Sequence, residues 1–348
     1  MQYVKPSLLA LMLLAACEGN PFVEEPDGGT DGGGGGETSD FPLTGTTTNP
    51  SRGSAIQRVE NQDSVSGNGY AQDFEYDATN DTFLVDNLAF DGENVYTRDV
   101  GFNASPSGAP GTLPGSGANI FRGDQIVRDS DGEIVDQFAY RALYGTSTSG
   151  QTEFAIVRTG SYIPYGFGGF VYQRNGSVTL PTSGQAHFEG DYSAIRDFDG
   201  PDTIVGGLEY VTGQMIVDID FDDFNDAGAI RGDGVKGYVY DREVFDINGN
   251  NVTGEIVAAL NADTGTATEL PVLVFEVGPY VMSSAGEVTA GINSTANGEL
   301  YEDGTYYAVI SGDNAEEIVG IIVVESQDPR DGMETVTVRE TGGFIVYN

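Results

Sequence analysis

The sequence predicts an all-β protein whose C-terminal half closes into an eight-stranded antiparallel barrel behind a β-rich, handle-like first portion. Three observations carry this. Short Val/Ile/Phe/Tyr runs recur along the chain, broken by glycine. Glycine occurs 50 times in 348 residues, well above average usage and as expected for strands joined by tight turns. Apolar and polar residues alternate, the mark of a strand with one buried face, most clearly in Gln185–Tyr192 and Gly213–Phe221. The first portion shows no long 3.6-residue periodicity, so its helices should be few and short. With 18 Tyr, 18 Phe and no Trp, the chain has enough apolar bulk for a large core.

Taken in order, the chain opens with a basic start (Met1 to Lys5) and an apolar run from Leu8 to Ala16. Nine apolar residues cannot span a bilayer, which takes ~20 as a helix. A charged start, a short apolar centre and small residues describe a secretory signal, assigned here to residues 1–16. The Leu14-Ala15-Ala16-Cys17 run resembles a bacterial lipobox, in which that cysteine is lipidated and becomes the new N-terminus. Cys17 is therefore the expected lipidation site and N-terminal membrane anchor. It is also the sole cysteine, so no disulfide is expected. Several acyl chains on one cysteine would give stable attachment where a single chain is marginal.

Residues 17–40 are read as an acidic, Gly-rich tether. Glu18, Glu24, Glu25, Asp27, Asp31, Glu37 and Asp40 occur there with no Lys or Arg, around the run Gly32 to Gly36. Such a segment cannot bury enough apolar surface to offset its ordering entropy, and as a coil it would span ~25 Å or more. Glu18, where Asp would favour inner-membrane retention in diderm bacteria, points to the outer membrane.

The formal net charge of −39 excludes nucleic acid as a partner, because phosphate binding needs a basic footprint. It equally excludes a basic lipid-binding patch. Basic proteins and cations stay compatible with it.

Residues 41–176 form the handle-like portion. Phe83-Leu84-Val85 and Leu88-Ala89-Phe90, then Asp91-Gly92 and Val95-Tyr96, read as a hairpin. Ile126-Val127-Arg128 and Ile134-Val135 around Asp129 to Gly132 read as a second. Phe138 to Tyr144 and Glu153 to Arg158 continue the pattern, with Ser105 to Gly117 as a loop. Asp129-Ser-Asp131-Gly-Glu133 lacks the twelfth-position Glu of a calcium loop, Tyr140 standing there instead. A solvated hairpin turn is the expected reading.

Residues 177–348 hold the denser strand pattern and are read as the barrel. Met215, Val217, Ile219 and Phe221 should face inward, and Gln214, Ile216, Asp218 and Asp220 outward. Ala229-Ile230, Gly237 to Tyr240, Leu270 to Val277, Tyr306 to Ile310, Ile318 to Val324 and Phe344 to Tyr347 supply further strands, enough to close a sheet on itself. Glycines and acids interrupt nearly every strand, unlike the girdled apolar outer face of a membrane-spanning barrel.

Two stretches carry a family resemblance. Leu180-Pro-Thr-Ser-Gly184-Gln-Ala186-His-Phe188-Glu-Gly190-Asp-Tyr192 is similar to the opening of the barrel in transferrin-binding-protein-B-like surface lipoproteins. Gly312-Asp-Asn314-Ala315-Glu316-Glu317-Ile-Val-Gly320 resembles that family's closing signature. The resemblance, over roughly Gly168 to Asn348, implies the barrel fold and a surface-exposed binding module without catalysis or cofactor. Its ligand would be a protein or an iron- or haem-type nutrient. The chain has one barrel where the bilobed receptor has two, and no transferrin-contacting residue carries over. Residue by residue, Asn314 suits a turn, Ala315 the re-entry into the barrel, and Gly320 a close backbone approach. Glu316 and Glu317 read as solvated charges at the strand entry. A second reading is an envelope-assembly lipoprotein that packs on an outer-membrane partner.

No catalytic constellation is evident. His187, the only histidine, excludes multi-His metal centres and Ser-His-Asp chemistry. Flanked by inward Ala186 and Phe188, it should point to solvent, which argues against haem ligation. Asp218, Asp220, Asp222, Asp223 and Asp226 form the densest acidic cluster and offer the ligand type that Ca²⁺ takes. The simpler reading is an outward strand face and a polar turn. Asp246 to Asn250 reads as a turn too. Tyr162 to Tyr172 is dense in aromatics and glycine; such a stretch can make a recognition surface, but the expectation is that it is buried at the junction of the two portions. No carboxylate pair stands out among the 54 acids as a glycosidase pair would.

Overall fold

The computed structural model describes residues 42–348 except 46, 48, 65, 87–94, 105–108, 116, 125–129, 133–138, 160–166, 200–206, 225–233, 263–264, 279–280, 331 and 334. The signal, Cys17, the tether, the second hairpin's strands, the Asp91-Gly92 turn, Tyr162 to Tyr165, Asp226 and Ala229-Ile230 lie outside the described residues.

The protein is all-β, built as one open sheet and one closed barrel. The sheet comprises β1 (Ile56–Val59), β2 (Asp73–Asp77), β3 (Thr82–Asp86), β4 (Tyr96–Arg98), β5 (Asn119–Asp124), β6 (Ala139–Thr146), β7 (Thr152–Thr159) and β8 (Gly168–Arg174). From β2 to β8 it is a meander, each strand antiparallel to the next, and β1 adds to the far side of β8. A two-residue strand, β9 (Val178–Thr179), leads into the barrel and pairs in parallel with its wall.

The barrel contains β10 (Gln185–Phe198), β11 (Leu208–Asp220), β12 (Val235–Asp246), β13 (Leu273–Phe275), β14 (Glu287–Ala296), β15 (Glu299–Asp313), β16 (Glu317–Gln327) and β17 (Thr337–Tyr347). β10 pairs with both β11 and β17, and β14 pairs with β15, so the eight-stranded antiparallel sheet closes. Closure removes the unpaired edges that would template association. Sequence and structure part in three places here. Leu270 to Val277 yields only the three-residue β13, β14 was not foreseen, and α1 (Thr253–Leu260) packs Ile256 into the barrel core.

Alternation explains both cores. In β10, Ala186 and Phe188 are buried while Gln185, His187 and Glu189 are exposed; from Ser193 to Phe198 every residue is buried. That switch marks where the open sheet covers the barrel wall. Inside, Phe188, Tyr192, Met215, Val239, Tyr306 and Phe344 belong to one apolar cluster. A second cluster joins sheet and barrel, with Ile56, Ile120, Leu143, Phe154, Ile156 and Phe170 meeting Ile195, Tyr210, Val319 and Ile321. A third, on the sheet's other face, is aromatic: Phe83, Tyr96, Phe121, Tyr140 and Tyr144.

Many glycines are not in turns. Gly342 and Gly343 are adjacent in β17 and face opposite ways: a Cβ on Gly342 would overlap the Tyr192 ring, and one on Gly343 the Phe154 ring. The backbone there is a partition with a ring pressed on each side, which only residues without a Cβ allow.

Candidate functional site

The seam between sheet and barrel concentrates the chain's few cations. On the barrel-facing side, five strands alternate an apolar residue with an arginine: Ile56/Arg58, Ile120/Arg122, Leu143/Arg141, Ile156/Arg158 and Tyr172/Arg174. Period-2 geometry puts each such pair on one face.

Arg58 Nε donates to Glu287 Oε1 at 2.6 Å, with both side chains buried. The Arg158 guanidinium donates to both Glu60 oxygens at 3.0 and 3.1 Å and to Thr341 Oγ1 at 3.1 Å, with Asp197 at 3.7 Å. Asp197 also pairs with Arg339, which donates to Asn68 Oδ1. Arg174 meets carbonyls: Ile310 O at 2.6 Å, Ala285 O at 3.1 Å, Ser54 O at 2.9 Å and Ser51 O at 3.0 Å. Burial pulls its pKa down to about 10, opposed by the charge of Glu287. It stays protonated at neutral pH.

A second ionic network lies inside the barrel, across the same wall. Arg242 donates to Glu302 at 2.6 and 2.9 Å and to Glu340 at 3.2 Å, and the Tyr192 hydroxyl donates to Glu340 at 2.8 Å. Burial pushes the Tyr192 phenol up, reinforced by Glu340. Burial opposes the Arg242 charge, but Glu302 and Glu340 outweigh it and hold its pKa above the ordinary arginine value. A bulge explains how an arginine reaches this interior. Between the pairs Thr212↔Glu243 and Gln214↔Tyr240, two residues of β12 oppose Gly213 alone, and Asp241 adopts φ 50°. The extra residue resets the alternation, so Val239, Arg242 and Val244 are buried.

The two family stretches sit at defined places. Gly184 has φ 89° just before β10, and Gly190 lies where a Cβ would strike the β17 backbone. Asn314 (φ 71°) and Ala315 (φ 55°) make the left-handed turn between β15 and β16, Ala315 being fully buried. Gly320 lies beneath the Phe344 ring. Glu316 is exposed, as read, but Glu317 corrects the sequence reading. It is 4% exposed and accepts hydrogen bonds from Thr152 Oγ1 at 2.9 Å and Ser149 Oγ at 3.0 Å, both on the sheet side of the seam. A charge at a strand entry reads as solvated until a second sheet is laid over it.

His187 points outward, between Asp218 (2.6 Å) and Glu189 (3.1 Å). Hydrogen bonding to Asp218, then to Glu189, raises its pKa. The carboxylates of the proposed calcium cluster are engaged locally. Asp218 holds His187, Asp220 accepts from Gln185 and the Asp222 amide, and Asp222 accepts from the Gly184 amide. Among the described residues Asp218, Asp220, Asp222 and Asp223 are not drawn together as metal ligands. Asp246 to Asn250 is a turn, with the Asn248 and Asn250 amides donating to Asp246 Oδ1 at 2.8 and 2.9 Å. Phe170 and Tyr172 are buried in the seam, Phe170 stacking on Tyr307 of β15 at 6.2 Å between centroids.

The cations' engagement leaves a predominantly acidic exterior. Of the described lysines and arginines only Arg52 and Lys236 are exposed. Exposed carboxylates run over both halves, among them Asp63, Asp73, Glu75, Glu189, Asp241, Glu276, Asp303 and Glu325. At the rim of the seam, Leu43, Glu60 and Phe170 face Asp303, Tyr307 and Glu325 across a cleft of about 290 Å³. Among the described residues no helix is long and apolar enough to cross a membrane.

A closed antiparallel barrel carrying an open handle sheet is thus the class of protein the fold defines. Among solved structures, the chain is similar to transferrin-binding protein B from Haemophilus parasuis, at 10% identity over 84% of this chain and 45% of that one, with a TM-score of 0.36. It is similar also to an intact transferrin-binding protein B with N and C lobes (12% identity, 73% and 43% covered, TM-score 0.31) and to the crystal structure of a surface lipoprotein (12% identity, 77% and 95% covered, TM-score 0.25). The chain spans half or less of the length of several transferrin-binding protein B structures that it matches. At such scores the fold rests on the strand pairing itself. No family model matches, and no curated protein matches.

Proposed function

We propose that the chain is a lipid-anchored outer-membrane protein that captures a ligand outside the cell and does not transform it. Residues 1–16 are removed, Cys17 carries the lipid, residues 17–40 form the spacer, 41–176 the handle and 177–348 the barrel domain. The observation that carries the reading is the order of parts: a cysteine directly behind a short apolar run, an acidic spacer, then a β body. The family stretches at Gly184–Tyr192 and Asn314–Gly320 support it, pointing to a protein or nutrient ligand. The ion pairs described above tie charged groups into the seam and barrel interior, which suits a scaffold whose exposed surface meets the ligand.

Protease shaving of intact cells tests this. Loss of the barrel domain without lysis, together with release of a Cys17→Ala variant from the membrane fraction, is the expected result. Protection until the outer membrane is breached would overturn it in favour of an envelope-assembly role, and turnover of a substrate would overturn it outright.

A further inference from the structure

The barrel's outer wall carries an apolar row where the sheet no longer covers it. Ile216 of β11 stands directly opposite Tyr238 of β12, and Tyr238 directly opposite Val274 of β13. Their chain neighbours Met215, Val217, Val239, Leu273 and Phe275 fill the barrel core, so strand alternation turns the three outward. Tyr238 is 40% exposed and Val274 39%; Ile216 and Tyr240, the next outward residue of β12, are half-buried. Tyr210, earlier on β11, lies under the sheet, so the row starts beyond the cover. Single exposed apolar residues are ordinary, whereas side chains that adjoin across three strands make a patch. Neighbouring strands lie about 4.8 Å apart, which gives the row a length of roughly 10 Å.

The rim of the patch is acidic. Glu189 stands directly opposite Ile216, Asp218 and Glu276 follow Ile216 and Val274 on the same face, and the β12 bulge keeps Asp241 outside the barrel directly after Tyr240. Lys236, opposite Asp218 and one strand from Glu276, is the only lysine or arginine among the described residues of this face. His187 bonds Glu189 and Asp218 at the same end. The acids therefore outnumber the cations around an apolar centre.

We propose that this patch docks a protein ligand whose surface offers a few apolar side chains edged by lysine or arginine. The inference rests on the capture reading above and names its partner class. Charge selects the occupant. A second copy would set Glu189, Asp241 and Glu276 against their own symmetry mates, and anionic lipid head groups would meet the same acids. A basic edge instead pairs with them, while the apolar centre packs on Tyr238, whose ring supplies contact area at low entropy cost. The wall is convex, so a small molecule would be held on one side only, without the enclosure that such ligands take.

Titration calorimetry on the full chain in detergent tests the proposal, with acetyl-Lys-Leu-Lys-Leu-Lys-Leu-Lys-amide as probe. Saturable binding is expected, declining as ionic strength rises. The same peptide with serine for leucine, equal in charge, should bind at least about tenfold more weakly, and so should the one with glutamate for lysine. Tyr238→Ser and Val274→Asn should each weaken the leucine probe about tenfold or more. Leu300→Asn, on β15, should leave it unchanged. All three positions are exposed, and an unaltered melting temperature verifies that the fold survives. Equal uptake of the serine peptide, indifference to both patch variants, or an equal loss with Leu300→Asn overturns the inference. A dimer in sedimentation velocity that Tyr238→Ser dissolves would identify a second copy as the occupant. The chain has no Trp, so Val274→Trp reports on this surface alone: quenching by brominated lipid, after reconstitution in vesicles, would identify the bilayer. Either result overturns the protein-ligand assignment. Should the patch fail while shaving still removes the domain from intact cells, the capture reading stands and this surface falls. Should the patch bind the probe while the domain stays protected, the capture reading falls and the partner is an envelope protein.

Discussion

The barrel and the open sheet solve the edge problem differently. The barrel hydrogen-bonds its last strand to its first and so has no edge to defend. The sheet keeps two. At one, β2 exposes Asp73 and Glu75, charges that discourage pairing with another chain. At the other, Thr44 bridges to Val59 and covers part of β1. The barrel encloses its own apolar core, whereas the sheet needs the barrel wall to bury one of its two faces. A charged seam can therefore be decisive for the sheet while leaving the barrel's closure intact.

Breaking the seam should give the largest effects. Arg158→Ala leaves Glu60 and Asp197 buried with one cation fewer and should cost about 3–5 kcal/mol, against about 0.5 kcal/mol or less for Arg52→Ala on the surface. Urea unfolding of both variants provides the comparison. Replacing both members of the Arg58–Glu287 pair by apolar residues should be far milder than removing Arg58 alone, because no buried charge is then orphaned.

Overpacking comes next. Gly343→Val places methyls in the Phe154 ring and should cost about 1–3 kcal/mol, with hydrogen exchange rising in β7 and β8 before it rises in β11. Uniform loss of protection throughout both halves would mean that sheet and barrel unfold as one unit, and would erase the contrast drawn above.

Glu317→Ala removes the acceptor for Thr152 and Ser149 and should cost about 1–3 kcal/mol, where Glu316→Ala, its exposed neighbour, should cost little.

The smallest effect belongs to His187. Its folded pKa is raised above the ordinary 6.5, so its contribution is fully present below the unfolded value and is lost as pH rises through the folded one. An NMR titration should place its midpoint above that of an unfolded peptide, and Asp218→Asn should lower it. A midpoint unchanged by that substitution would remove Asp218 as the cause.

How much was legible follows from what alternation can report. β10 and β11 announce themselves because one face meets the core and the other meets water, and the inward set Met215, Val217, Ile219 and Phe221 is buried as read. β14 escaped notice because Glu287, Thr289, Gly291 and Asn293 dilute its apolar residues; Glu287 is there to hold Arg58, not to face solvent. The same ambiguity hid the seam. An Ile-x-Arg pair looks like a strand turning from core to water, and only a second sheet above it makes the arginine interior. The β12 bulge at Asp241 was invisible for a different reason, since a left-handed residue leaves no mark in the hydropathy pattern. Mid-strand glycines were misread as turns because a ring lying over a backbone is a tertiary fact.

The glycine pair in β17 has a consequence that can be put in terms of the genetic code. Every amino acid other than glycine carries a Cβ, so no missense change at codon 342 or 343 is silent in shape. One codon answers to Tyr192 inside the barrel and the next to Phe154 outside it. Two neighbouring codons thus report separately on the two halves of the molecule. A saturation scan across them would read barrel integrity from the first and sheet docking from the second.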